Sequence, residues 1–319
     1  MPWRRCFAFP KAGAVIKLDR ITINYFADAN TAWSAYQAGE LDMLTSAPSG
    51  VVKDLYSQNS EELIVYPTLY VNYILLNTRE GRLDNIALRK AIFTAIDREG
   101  IITSSTTSFL SSFLDGIVPP NVPMNGQDFR EAAGSYYLKP NADLEASAKY
   151  LEEAGYPNGE GLRTLEILTD NSEGPMQTAQ IIQEQLKAAN IPTEIVPVES
   201  KAFWTQQLEG NCDISVNAEI GAVREPSIFL PPASPNVEWC PEVFRDPDYD
   251  EVITKARVES DPEKRMEYYM EAEKIMIEYY GRLPISTRVS TLVAKPYVDG
   301  IWATVTGFRS LATADITNS

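Results

Sequence analysis

Apolar and polar residues alternate with a two-residue period in several stretches of the first 77 residues, and this pattern predicts β-strands. The stretches are residues 18–26, 40–44, 63–66 and 69–77. The last is especially rich in residues that favour strands. Between the first two stretches, Asn30 can cap a short helix that contains Trp33 and Tyr36 and ends at Gly39. We therefore expect strands joined by a short helix at the start of the chain.

The period of the apolar positions changes near residue 84. Asp84 or Asn85 can cap a helix whose apolar stripe, Leu88, Ile92 and Ile96, has helical spacing. Residues 100–140 contain clusters of serine, threonine and proline among apolar residues. This composition predicts an irregular loop that still packs against the protein.

Helices and strands alternate regularly from residue 141 onwards. The pattern predicts a helix ending at Gly155, a strand over 165–169, a helix from Pro175, a strand over 193–198, a helix capped by Ser200 and a strand over 212–216. Strands separated by helices of this length imply right-handed crossovers and a parallel sheet. Later, Asp261 opens the longest predicted helix, which ends at Gly281, and residues 283–294 are again extended. The predicted fold class is therefore α/β.

Composition excludes several functions. The 28 basic and 44 acidic residues give a net charge of −16, which argues against a nucleic-acid partner because phosphate binding needs a basic surface. The chain contains no histidine, the most common general base and zinc ligand, so a hydrolase is disfavoured. Cys6, Cys212 and Cys240 lack metal-binding spacing, and a Cys212–Cys240 disulfide and two buried thiols both stay open. We expect a non-enzymatic protein with no cofactor and no metal site.

Membrane and export signals are also missing from the pattern. No apolar run approaches the ~18 residues that a transmembrane helix needs. The apolar patch near the amino terminus is interrupted by Pro10 and Lys11, so it is too short for a signal peptide. We therefore expect no export signal in the chain as written.

The segment after the predicted strand over residues 212–216 is the best candidate for a ligand site. In open α/β sheets, ligands bind beyond the carboxyl ends of the strands. The candidate residues in this segment are Asn217, Glu219, Ile220, Gly221, Ala222 and Arg224. Tyr70 and Asn72 share one face of a predicted strand, which can line the site or be an ordinary half-buried surface. Trp204 and Trp239 can stack on a ligand or fill the core.

Several segments, taken together and in order, resemble the family 5 extracellular solute-binding proteins of ABC importers, the oligopeptide, dipeptide and nickel type. The most specific match is Asn77 followed by LRKAIFTAIDR from Leu88 to Arg98. Other matches are AGELD at 38–42, the helix within 142–156, EGNCDI at 209–214, DPDYD at 246–250 and LPI at 283–285. The similarity covers residues 16–316.

The resemblance implies a type II periplasmic-binding-protein-like fold, in which two lobes enclose the ligand and two strands, here near 70–77 and 283–294, join them. Residues 1–75 would form a partial first lobe, 76–285 the carboxyl-terminal lobe, and 286–319 the return to the first lobe. Family members are considerably longer, so we expect an amino-terminally truncated chain with an incomplete first lobe. Such a lobe would expose apolar surface that is normally covered.

The candidate loop departs from the pattern of peptide-binding relatives. In those relatives an aspartate of the loop pairs with the α-ammonium group of the peptide. Alignment on Glu225-Pro226 and Phe229-Leu230 places Ala222 at that aspartate. Glu219 can substitute as the charge partner, or the ligand lacks a free amino terminus, as an oligosaccharide or another polar solute would. Arg224 would act as an anion partner or as a brace for the loop.

The function implied by the resemblance is the substrate-binding component of an ABC importer, or a fragment of one. It would capture a peptide or a similar polar solute by hinge closure and act with the permease subunits. The family is extracytoplasmic, either periplasmic or anchored to the cell surface as a lipoprotein. The alternative is a truncated remnant or interaction protein without solute binding.

Overall fold

A computed structural model describes residues 16–79, 81–136, 138–230, 246–307 and 309–317. Its elements, in chain order, are α1 (Ala29–Gln37), β1 (Met43–Leu44), α2 (Ser49–Ser57), β2 (Leu63–Leu76), α3 (Ile86–Ala95), α4 (Arg98–Ser104), β3 (Ser111–Phe113), β4 (Pro123–Met124), β5 (Gln127–Asp128), α5 (Phe129–Ala133), α6 (Leu144–Glu153), β6 (Leu165–Asp170), α7 (Glu173–Ala188), β7 (Thr193–Val198), α8 (Ser200–Glu209), β8 (Ile214–Ile220), α9 (Pro247–Val258), α10 (Pro262–Glu278), β9 (Arg282–Ala294), β10 (Val298–Asp299), β11 (Trp302–Ala303), β12 (Arg309–Ser310) and β13 (Asp315–Ile316). Trp239 and Cys240 lie outside the described residues.

The chain divides into two compact units, which are described separately. The small unit comprises the described parts of Met1–Leu69, Thr106–Ser111 and Arg288–Ser319. The large unit comprises those of Tyr70–Ser105 and Ser112–Thr287. Strands β2 and β9 contribute residues to both units, because the boundaries fall inside them.

The large unit is built on a mixed sheet in the order β9-β2-β8-β6-β7. Strands β7 and β8 each run parallel to β6, and β2 runs antiparallel to β8. The predicted parallel core is therefore confirmed. Its buried apolar side chains come from both the sheet and the helices, and include Ile92, Leu151, Ile167, Ile182, Leu186 and Ile214. Burial of such side chains contributes about 1.5–3 kcal/mol each, so this cluster is the main source of stability.

Two buried arginines of the family-like motif stabilise the large unit. The Arg89 guanidinium donates to the carbonyl of Tyr279 (3.0 Å) and lies over the ring of the same residue, 4.5 Å from its centroid. The Arg98 guanidinium donates to the carbonyl of Pro284 (3.0 Å). Because buried charges need hydrogen-bond partners, these contacts join α3 and α4 to the region around β9. The motif is thus explained by folding and not by ligand contact.

Asp213 anchors the amino end of β8. Its carboxylate is fully buried and accepts two hydrogen bonds from Arg163 (2.6 and 2.5 Å) and one from the Glu166 amide (2.9 Å). Arg82 lies 3.5 Å away, and the Asn77 amide donates to the Asp213 carbonyl (2.8 Å). Burial alone would raise the pKa of Asp213, but these hydrogen bonds and the two arginine charges hold that pKa below its ordinary value.

The small unit contains the part of the chain where the sequence prediction is wrong. Residues 18–26, predicted as a strand, are extended but form no strand with any other described segment. Their apolar side chains are exposed: Ile21, Ile23, Tyr25 and Phe26, with Tyr25 93% exposed. The alternation is real, but a strand also needs a neighbour that supplies main-chain hydrogen bonds. Elsewhere in the unit, β1 pairs antiparallel with β9 through Met43–Leu44.

Several predicted boundaries shift for local reasons. Helix α1 is capped by Asp28, whose carboxylate accepts from the Thr31 amide (2.9 Å), and not by Asn30. The two predicted strands over 63–66 and 69–77 form one strand, β2. Ser200 is the first residue of α8 and not its cap, since its hydroxyl donates to the Asp170 carboxylate.

The helix predicted to be the longest is α10, with 17 residues. Asp261 caps it by accepting from the amide of Glu263 (3.0 Å), and Pro262 occupies its first turn, where a missing amide costs nothing. Buried methionine and tyrosine side chains hold it in place. Within the described ranges, no helix combines the length and the apolarity that crossing a bilayer requires.

Candidate ligand-binding site

Strand β8 is longer than predicted, and this changes the setting of the site. It continues to Ile220, so Asn217, Glu219 and Ile220 lie on a strand and not in a loop. The reason is its partner: β2 pairs with β8 along its whole length, from Leu76 opposite Ile214 to Tyr70 opposite Ile220. Local polarity suggested a loop, but main-chain pairing with a strand far away in sequence keeps the segment extended.

The register distributes the candidate residues over two faces of the sheet. The pairs are Tyr70 with Ile220, Val71 with Glu219, Asn72 with Ala218 and Tyr73 with Asn217. Residues directly opposite each other in an antiparallel pair share a face. Tyr70, Asn72 and Ile220 therefore lie together on one face, while Asn217 and Glu219 lie on the other. The structure thus does not bring all the predicted strand residues to one surface.

The face with Tyr70, Asn72 and Ile220 is partly open. The amide of Asn72 donates to the hydroxyl of Ser286 on β9 (3.0 Å). Tyr70 and Asn72 are half-buried, and Ile220 is exposed. An aromatic ring, an amide and an aliphatic side chain on one accessible face are suited to contacting a polar organic ligand.

Asn217, on the opposite face, is committed to the interior. Its side-chain oxygen accepts from the amide of Gln207 on α8 (2.8 Å), and its own amide donates to the Ser215 hydroxyl (2.9 Å). All three side chains are buried. These bonds satisfy polar groups that are expensive to leave unpaired, so they join α8 to β8.

Glu219 forms an ion pair with Arg282, the first residue of β9. The Arg282 side chain is only 5% exposed, whereas that of Glu219 is 29% exposed. The guanidinium carbon lies 3.7 Å from the centroid of the Tyr73 ring, and the Tyr73 hydroxyl donates to Glu219 (3.4 Å). Arg282 also donates to the Phe229 carbonyl (3.3 Å). One buried cation therefore holds the end of β8 and the far end of the following loop.

The loop after β8 places its remaining candidates at the surface. Gly221 is buried, while Ala222 and Arg224 are exposed. The Arg224 guanidinium donates through Nε to the carbonyl of Asn121 (3.0 Å), so this side chain braces the loop. Trp204 on α8 is 49% exposed and packs edge-on against Phe203, with ring centroids 5.4 Å apart. Trp239 lies outside the described residues.

Asp170 is a polar residue at this end of the sheet that the sequence pattern did not single out. Because β6, β7 and β8 are parallel, their carboxyl ends meet at one edge. Asp170 ends β6, and its carboxylate accepts from the Ser172 amide (2.8 Å) and the Ser200 hydroxyl. These hydrogen bonds lower the pKa of Asp170. An acidic residue between a strand and a helix start could have been noticed as a candidate cap.

The outer edge of β8 is open beyond Ser215. Strand β8 pairs with β2 through Ile220, but with β6 only at Ile214 and Ser215. Among the described strands, none pairs with the outer edge over residues 216–220. An unpaired edge presents main-chain donors and acceptors that can bind an extended chain.

Metal and thiol chemistry have little support in the parts of the chain that the structure describes. Over those ranges, no group of three or more acidic or cysteine side chains is placed to hold a metal ion. Cys212 is a buried free thiol, and burial raises its pKa to about 12. Its possible disulfide partner, Cys240, lies outside the described residues.

Known proteins resemble this chain in sequence and in structure. The dipeptide-binding protein DppE of Bacillus subtilis is 25% identical over 94% of this chain and 54% of its own length. Heme-binding protein A of Haemophilus influenzae is 24% identical over 89% of this chain and 51% of its own length. The chain therefore spans about half the length of these curated relatives.

Among solved structures, the substrate-binding domain of an oligopeptide ABC transporter from Bacillus anthracis superposes with a TM-score of 0.76. The match is 24% identical and covers 91% of this chain and 57% of that structure. It confirms the predicted type II periplasmic-binding-protein-like α/β class. The model of the bacterial extracellular solute-binding proteins, family 5 Middle, matches residues 7–239. The chain therefore belongs to the family 5 bacterial extracellular solute-binding proteins.

Proposed function

We propose that this chain supplies substrate-binding surface of an ABC importer and binds the main chain of a peptide along the open edge of β8. The observation that carries the proposal is the lack of a strand partner over residues 216–220 among the described residues. An extended peptide can add to such an edge as an extra strand, and its main-chain hydrogen bonds then supply the affinity.

The partly open face next to this edge suits the side chains of the ligand. Tyr70 and Ile220 offer apolar surface there, and Asn72 offers a polar group. In the loop, Arg224 is an exposed cation that can attract a carboxylate. Trp204 and Trp239 keep their predicted role as stacking surfaces.

The names of relatives support a peptide but do not restrict the ligand to one. DppE is named for dipeptides and its Haemophilus influenzae relative for heme. An oligosaccharide stays the second candidate, because Ala222 provides no charge for a peptide ammonium group. Hinge closure, the permease partner, the extracytoplasmic location and the lobes over 1–75, 76–285 and 286–319 are further parts of the proposal, supported by family membership.

Calorimetric titration of the purified chain with trialanine tests the proposal. Two further peptides carry an N-methyl group on residue 2 or on residue 3. Because successive amides of a strand point in opposite directions, only one of the two methylations should remove a hydrogen bond to β8. We expect about a tenfold loss of affinity for that peptide, and little change for the other.

Maltotriose serves as the control ligand for the alternative reading. Binding of maltotriose but not of trialanine would replace the peptide by an oligosaccharide. Equal effects of both methylations would contradict strand addition. A chain that binds neither ligand would favour the remnant or interaction protein.

A further inference from the structure

The ion pair between Glu219 and Arg282 has a consequence for ligand charge. Arg282 is almost completely buried, so its guanidinium has little access to water. Glu219, the Phe229 carbonyl and the Tyr73 ring surround it and compensate its charge. If Glu219 turned to a ligand cation, it would leave a buried arginine without its carboxylate. That cost outweighs the gain from pairing with an ammonium group that water already solvates well.

The rest of the loop offers no replacement for Glu219. Ala222 is uncharged, and Arg224, the other charged residue between Ile220 and Glu225, is a cation. A ligand ammonium group near this end of β8 therefore meets a neutralised carboxylate and a positive side chain. Such a setting gives no preference for a free amino terminus.

We propose that Arg282 is a specificity-determining residue that neutralises Glu219, so that the site accepts peptides with a blocked amino terminus as readily as free ones. This inference rests on the proposed peptide-binding function. It assigns to Arg282 a positioning role, since Arg282 acts on the ligand through Glu219. The ligand class it points to is peptides and peptide-like solutes that lack a free α-amino group.

Paired titrations with trialanine and N-acetyl-trialanine at pH 6 test the inference. The quantity compared is the ratio of the two affinities within each protein, which cancels changes in overall stability or active fraction. We expect a ratio near one for the unmodified chain. Arg282→Met keeps an apolar stem against Tyr73 and releases Glu219, so it should shift the ratio at least tenfold towards free trialanine. Adding Glu219→Gln to that variant should return the ratio to about one.

Glu219→Gln alone provides a second test that does not depend on the Arg282 variant folding. If Arg282 already neutralises Glu219, this change leaves the ratio as it is. A tenfold loss of preference for free trialanine in Glu219→Gln, or an unshifted ratio in a folded Arg282→Met, would overturn the inference while leaving peptide binding intact. Binding of neither peptide by any of the proteins would overturn the proposed function itself, and this inference with it.

Discussion

The two ends of strand β8 carry the same kind of ion pair with opposite burial. At the amino end the carboxylate of Asp213 is fully buried, while its partner Arg163 is 45% exposed. At the carboxyl end the buried member is the cation, Arg282, and Glu219 reaches towards solvent. The member that is buried decides what happens when the pair is broken, because only the buried charge loses its solvation.

This difference separates an anchor from an adjustable site. Around Asp213, two arginines and a main-chain amide converge on one buried carboxylate, which leaves no capacity for another partner. Around Glu219, a half-exposed carboxylate is held by one buried cation. We infer that mutations at the first pair change folding, whereas mutations at the second can change the charge presented to a ligand.

The largest effect is expected at Arg163. Arg163→Met leaves the buried Asp213 carboxylate with only Arg82 and the Glu166 amide, so it should reduce the free energy of unfolding by about 3 kcal/mol. Urea denaturation followed by circular dichroism measures this. Lys149→Met is the matched control, since Lys149 pairs with Glu145 on the surface (2.8 Å) and should change stability by less than about 0.5 kcal/mol. Equal losses in both variants would show that burial does not distinguish the pairs.

An intermediate effect is expected at the other end of the strand, with the roles of acid and base reversed. Glu219→Gln removes the carboxylate that compensates buried Arg282 and should cost about 2 kcal/mol. Arg282→Met leaves a carboxylate that water can reach and should cost about 1 kcal/mol. The same denaturation experiment ranks the two. The opposite order would mean that exposure does not control which partner is needed.

The smallest effect concerns pH. The pKa of Asp213 is depressed in the folded protein, so its ionised form stabilises the fold above the ordinary carboxyl pKa. That contribution is lost as the pH falls below about 4 and approaches the folded pKa. Thermal unfolding between pH 7 and pH 3 should therefore show a steeper acid loss for the unmodified chain than for Asp213→Asn. Parallel curves would contradict a special role for this carboxylate.

The sequence predicted well the elements that depend on local patterns. The strands over 165–169 and 193–198 lie within a residue of β6 and β7, because alternation and flanking helix signals agree there. The alternation over 69–77 also placed Tyr70 and Asn72 on one face, as the register with β8 shows.

Predictions that depended on distant partners were less successful. Strand β8 runs past its predicted end because β2 pairs with it, and residues 18–26 form no strand among the described residues although their alternation is clear. Glu219 was identified as a charged candidate, but Arg282, 63 residues further along, carries no local signal that links the two. Ion pairs between distant segments follow from the fold and not from spacing along the chain.

The thiol of Cys212 gives the amino end of β8 a chemical reporter. Its carbonyl accepts from the buried Asn77 amide (2.8 Å), and its side chain lies beneath the surface next to Asp213. A thiol whose pKa is raised to about 12 is almost entirely protonated at neutral pH and reacts slowly with alkylating agents. Alkylation at this residue therefore requires a transient opening of the segment that Asp213 holds closed. The rate at which Cys212 is modified measures how often that part of the protein breathes.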